Sequence, residues 1–147
     1  MRILFLCLGN ICRSPAAEAV TRQMARQRGA ELHLDSAGTG PWHVGEAPYG
    51  PMQRAALARG YDMSGLRARQ LTSADFDRFD LILAMDVENL REARARKPAQ
   101  SRADLRLFLQ GDSGPDAVPD PYYTRDFDGC LDLIEEGACA VLAELAP

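Results

Sequence analysis

Apolar positions along the chain alternate between short continuous runs and longer stretches at helical spacing. Ile3-Leu4-Phe5-Leu6 is continuous enough to predict a buried strand over residues 2–7. Ala16, Ala17, Val20 and Met24 then recur at helical spacing, predicting a helix over about 14–29 that ends near Gly29. Pro15 suits its first turn, where no amide hydrogen is needed. Leu32, Leu34 and Ser36 predict a second strand closing at Ala37-Gly38, and a helix over about 51–59 stops at Gly60. Leu81-Ile82-Leu83-Ala84 reads as a third strand, with Asp86 as N-cap of the helix behind it. Leu105, Leu107 and Leu109 alternate as a short fourth strand. The final helix, about 125–145, carries Phe127, Leu131, Ile134, Ala138, Val141 and Leu145 on one stripe. Strands alternating with helices imply one doubly wound α/β domain over residues 1–147, a four-stranded parallel sheet with helices on both faces.

Two segments break the pattern. Thr39 to Pro51 is rich in Gly and Pro and carries Trp42, and Gln110 to Arg125 holds three prolines. Both read as exposed loops, and a long loop inside a compact domain usually has a function.

With 147 residues and 46% hydrophobic content, one hydrophobic core is expected. A net charge of −4 argues against a general binder of nucleic acid or membrane surfaces. The apolar run after Arg2 is too short for a signal peptide, and no stretch reaches transmembrane length. The expectation is a cytoplasmic protein with reduced thiols. Lys97 is the one lysine among seventeen basic residues, an arginine bias that fits a GC-rich genome. Cys130 and Cys139, nine residues apart on one helix, point to opposite faces and are expected to pack in the core. His33 and His43 are the only histidines and show no zinc spacing, so neither metal nor cofactor is expected. Gly38-x-Gly40 lacks the third glycine of a dinucleotide fingerprint, whose place His43 takes.

The chemistry is concentrated in Cys7-Leu8-Gly9-Asn10-Ile11-Cys12-Arg13-Ser14, between the first strand and the first helix. Gly9 and Asn10 most readily take positive φ and turn successive N–H groups inward. Such a turn at a helix N-terminus cradles an anion. Cys7 adds a thiol to that cradle and Arg13 a planar fork matching two phosphate oxygens. A free thiol titrates near ~8.5, and a helix N-terminus with a neighbouring cation lowers that to roughly 3.5–7.5. Ser14 can reach back to the sulfur, and Asn10 can lock the loop through its amide.

In these residues the chain resembles the low-molecular-weight protein tyrosine phosphatases. The resemblance rests on Cys7 to Pro15, Asp35-Ser36-Ala37-Gly38-Thr39, Trp42, Ala68-Arg69-Gln70, Met85-Asp86 and Asp120-Pro121-Tyr122-Tyr123, in the family's order and spacing. Leu66 departs from it, since several members carry His there. The resemblance implies a phosphocysteine mechanism on phosphotyrosine, with Ser36 supporting the loop. Asp120, between Pro119 and Pro121, is the candidate general acid for a leaving phenolate of pKa ~10. Trp42, Tyr122 and Tyr123 are candidate walls for a flat ring. The implied partner is a phosphotyrosine-bearing protein, a tyrosine kinase among the candidates, with inorganic phosphate as product.

Three readings compete. A thioredoxin-coupled arsenate reductase needs further cysteines after the third strand, and Asp86 to Gln100 has none. A protein arginine phosphatase carries a small polar residue where this chain has Ile11. A phosphate-binding module needs neither the nucleophile Cys7 nor the acid Asp120.

Overall fold

A computed structural model describes residues 1–110 and 117–146. The four strands are β1 (Arg2–Cys7), β2 (His33–Gly38), β3 (Leu81–Ala84) and β4 (Asp104–Leu107). All pair in parallel in the order β2-β1-β3-β4. Helices α1 (Arg13–Gln27), α2 (Gly50–Ala58), α3 (Asp75–Arg78), α4 (Val87–Arg96), α5 (Pro121–Thr124) and α6 (Phe127–Leu145) accompany them.

Side chains on β1 point alternately to the two faces. Ile3, Phe5 and Cys7 join α1, α2 and α6 in one buried cluster, while Leu4 and Leu6 join Phe76, Phe79 and Ala93 in the other. The sheet is thus covered on both sides, as the continuous apolar strands require. The chain moves one way from β1 to β2 and the other way from β1 to β3. That reversal opens a crevice at the carboxyl ends of the strands, the usual binding position in open α/β sheets. Gly29 and Gly60, at φ 68° and 89°, follow α1 and α2 where left-handed backbone terminates a helix.

The structure corrects several expectations. β4 stops at Leu107 and does not include Leu109. Of the predicted loop from Gln110 to Arg125, residues 111–116 lie outside the described residues, and its far end holds the single helical turn α5. α6 begins at Phe127 because Arg125 is left-handed at φ 63° and Asp126 caps the helix through Gly129 N–H. α3 has four residues, too few for a periodic signal. Cys130 is buried as expected, but Cys139 is exposed. α6 packs on α1 and α2 with one face, and a residue nine positions on lies on the other.

Candidate active site

β1 delivers Cys7 to the carboxyl edge of the sheet, where residues 8–12 turn back into α1. Asn10 makes the turn at φ 57°, a left-handed value asparagine tolerates. Gly9, expected to share that role, is not at positive φ; a Cβ there would lie 3.0 Å from His43 Cδ2, so its smallness serves packing. Gly38 has the same kind of constraint, because a Cβ would approach Leu8 O to 2.8 Å. The loop therefore lies directly on the end of β2, held by Thr39 N–H to Cys7 O and Gly40 N–H to Leu8 O.

Hydrogen bonds converge on the sulfur. Asn10 N–H donates to Cys7 Sγ at 3.3 Å, and Ser14 Oγ lies 2.9 Å from it. The Asn10 amide donates to Ser14 Oγ at 2.8 Å and Ser36 Oγ at 3.0 Å, and its Oδ1 accepts from Arg69 N–H at 2.9 Å. Cys7 is buried, and no side chain caps the start of α1. The first-turn N–H groups of α1 are thus left without side-chain acceptors, beside the loop.

Arg13 is almost wholly buried. It donates to Asp86 Oδ2 at 2.6 Å and Val118 O at 3.0 Å, and its other terminal nitrogen lies 3.5 Å from Asp120 Oδ2. Burial opposes its charge, but Cys7, the Asp86 hydrogen bond and the Asp120 carboxylate outweigh burial and raise its pKa. Asp86 also caps α4 through Asn89 N–H, the one role expected for it. Its grip on Arg13 crosses from β3 to α1 and has no local sequence signal. Asp120 caps α5, accepting from Tyr122 N–H at 3.1 Å, which holds Tyr122 and Tyr123 beside the carboxyl group. Cys12 is buried in the loop, and burial followed by the Cys7 charge pushes its thiol well above the usual range.

These groups surround a cavity of about 300 Å³ lined by Cys7, Leu8, Gly9, Ile11, Cys12, Arg13, Trp42, His43, Asp120, Tyr122 and Tyr123. Asn10, Ser14 and Ser36 stand behind it, as supports of the loop. Trp42 lies so close over Gly40 that any Cβ there would collide with its ring. Tyr122 sits 5.4 Å from both Tyr49 and Tyr123. Sequence reasoning missed His43, whose Nδ1 lies 2.6 Å from Glu46 Oε2 at the cavity rim. It also missed the ion pairs from Arg69 to Asp35 and to fully buried Asp75, which brace the segment that holds Asn10.

A buried thiol with the Asn10 N–H on its sulfur, a buried guanidinium and a carboxyl group at the edge of a doubly wound sheet make a candidate oxyanion-binding cysteine site. The chain belongs to the low molecular weight phosphotyrosine protein phosphatase family, whose model matches residues 2–147. It is similar to the low molecular weight protein-tyrosine-phosphatase YfkJ of Bacillus subtilis, 41% identical over 147 residues covering 97% of this chain and 94% of the relative. The YfkJ crystal structure aligns with a TM-score of 0.93 at 40% identity, covering 99% of this chain and 94% of that one. A low molecular weight protein-tyrosine-phosphatase of Streptomyces coelicolor is 43% identical over 152 residues, covering 97% of this chain and 92% of the relative. A Drosophila arginine phosphatase structure aligns with a TM-score of 0.90 at 28% identity, covering 100% of this chain and 99% of that one.

Proposed function

We propose that this protein hydrolyses phosphotyrosine in proteins through a phosphocysteine on Cys7, with residues 1–147 acting as one catalytic domain. The observation that carries the reading is the convergence of Cys7, Arg13 and Asp120 on one aromatic-rimmed cavity. Cys7 as thiolate attacks phosphorus while loop N–H groups and Arg13 hold the equatorial oxygens. Asp120 protonates the departing phenolate, then takes a proton from the water that hydrolyses the phosphocysteine to inorganic phosphate. Leu8, Gly9, Asn10, Ile11, Cys12 and Ser14 form the phosphate loop, Ser36 steadies it, and Trp42, Tyr122 and Tyr123 flank the substrate ring. The substrate is a phosphoprotein, with a tyrosine kinase a natural partner, and neither nucleic acid nor membrane is required. No described helix is long and apolar enough to cross a membrane; we place the enzyme in the cytoplasm. The deciding assay compares phosphate release from phosphotyrosine, phosphoserine and phosphoarginine peptides with arsenate reduction. Release confined to phosphoarginine, or reduction alone, would overturn the reading.

Ile11 sets the first specificity expectation. Its branched apolar side chain lines the cavity, offering van der Waals contact to a phenyl ring and no partner for guanidinium N–H groups. Unpaired buried donors cost about 1–3 kcal/mol each. Phosphotyrosine is therefore favoured over phosphoarginine by at least about tenfold in kcat/KM, or ~1.4 kcal/mol. Phosphoserine, with its short stem, fares worse still. Ile11→Thr should narrow the tyrosine-arginine gap, and an unchanged ratio would remove Ile11 as its cause.

Cys12 sets the second. Its raised pKa keeps it a neutral thiol in the loop, so it does not compete with Cys7 for the anion cradle. After peroxide converts Cys7 to a sulfenic acid, Cys12 captures it as a disulfide and releases water. Mass spectrometry should find the Cys7–Cys12 link, and dithiothreitol should restore activity. Equal recovery in Cys12→Ser would remove the protective role.

A further inference from the structure

Asp120 opens a short turn that is closed on itself. Its carboxyl group caps α5 at the front, and Tyr123 N–H and Thr124 N–H both donate to its carbonyl oxygen at 3.1 Å. At the back, Arg125 N–H donates to Pro121 O at 2.9 Å, and Arg125 itself is left-handed at φ 63°. Arginine rarely adopts that conformation, so an interaction is needed to hold it there. The side chain makes one. The Arg125 guanidinium lies 5.4 Å from the centre of the Tyr49 ring and 5.2 Å from that of Phe127, close enough for a cation to be attracted to both faces. Its Nη1 also donates to Tyr49 Oη at 2.9 Å.

Tyr49 belongs to the other side of the cavity. It stands directly before α2, which it joins through Gln53 N–H on its carbonyl oxygen. Its own N–H donates to Ile11 O, in the loop after Cys7, at 2.8 Å. Its ring packs against Tyr122, with ring centres 5.4 Å apart. One residue thus touches the phosphate loop with its backbone and the turn of Asp120 with its side chain. A general acid works only within hydrogen-bond reach of the oxygen it protonates, and the place of that oxygen is set by the phosphate loop. The approach of Asp120 to Arg13, at 3.5 Å, is too long for a good hydrogen bond and leaves that spacing loosely fixed.

We propose that Tyr49 and Arg125 are positioning residues, a clasp that sets the distance between the acid Asp120 and a phosphate held over Cys7. Arg125 ends the turn that Asp120 begins, and it grips a tyrosine hydrogen-bonded to the phosphate loop. The proposal rests on the reading of Asp120 as the general acid. Neither clasp residue lines the cavity, so neither touches the reacting atoms. Arg125 is exposed, and replacing it removes nothing from the core.

Two variants open the clasp by different routes. Arg125→Asn keeps a residue that tolerates left-handed backbone but is too short to reach Tyr49. Tyr49→Leu keeps the backbone bond to Ile11 and removes the ring and the hydroxyl. The test is kcat/KM over aryl phosphates of graded leaving-group acidity, because that ratio reports the step in which the phenol departs. Each variant should lose about three- to tenfold on phenyl phosphate and less than about twofold on p-nitrophenyl phosphate, whose phenol needs little proton donation. The double variant should be no slower than Tyr49→Leu, since both changes remove one interaction. Iodoacetamide should alkylate Cys7 at the wild-type rate throughout, as expected when the phosphate loop is undisturbed. Equal losses on both substrates, no loss in either single variant, multiplied losses in the double, or slowed Cys7 alkylation would each overturn the clasp. If Tyr49→Leu does not fold, Arg125→Asn decides alone by the same leaving-group criterion. Failure of the underlying reading looks different: Asp120→Asn itself would then show no dependence on the leaving phenol.

Discussion

Replacing Cys7 by serine is expected to abolish turnover while leaving phosphate and vanadate binding in place. The proposed cradle is backbone N–H groups and Arg13, all of which remain when the sulfur is replaced, and the Asn10 N–H that donates to Cys7 Sγ can donate to a serine oxygen instead. Serine at the same position is too basic to be ionised by that environment, so the covalent step loses its nucleophile. The rate should fall by at least about 10³, the scale seen when an essential nucleophile is removed. Rapid quench of the wild type should trap a phosphocysteine, and the variant should trap none. Retention of a tenth of the wild-type rate would make the covalent mechanism wrong.

Asp120→Asn is expected to lower kcat by roughly 10²–10⁴ on an aryl phosphate with a poor leaving group. The loss should shrink as the leaving phenol becomes more acidic, because less proton donation is needed. That dependence matters because Asp120 also sits 3.5 Å from Arg13 and caps α5. A damaged cap or a displaced guanidinium would slow every substrate alike. A uniform loss across leaving groups would therefore assign Asp120 a structural role, and a graded one assigns it the proton.

The architecture is legible in the sequence because it depends on local patterning. Continuous apolar runs form β1 and β3, helical spacing forms α1 and α6, and Gly29 and Gly60 close their helices. The candidate phosphate loop is legible for a related reason: its residues are contiguous, and their order suggests the chemistry. Short elements are not legible, since α3 and α5 contain four residues each and give no period to read. Cys139 departs from expectation because it lies opposite Cys130 and off the stripe that α6 buries, so its apolar character does not place it in the core. Gly9 departs from it because its nearest constraint is the ring of His43, on a different loop.

The sequence alone was enough for the order of strands and helices and for the candidate loop from Cys7 to Ser14. Each of those follows from neighbours within a few positions, where backbone geometry and spacing act directly. The tertiary structure decided how the parts are held. Asp86 on Arg13, Arg69 on Asn10, and Glu18 behind Ser36 join residues 73, 59 and 18 positions apart. Such pairs form only because the parallel sheet brings the carboxyl ends of β1, β2 and β3 together. Each is made by burying a charge or an amide against one particular partner, a choice that depends on three-dimensional packing and leaves no periodic trace along the chain.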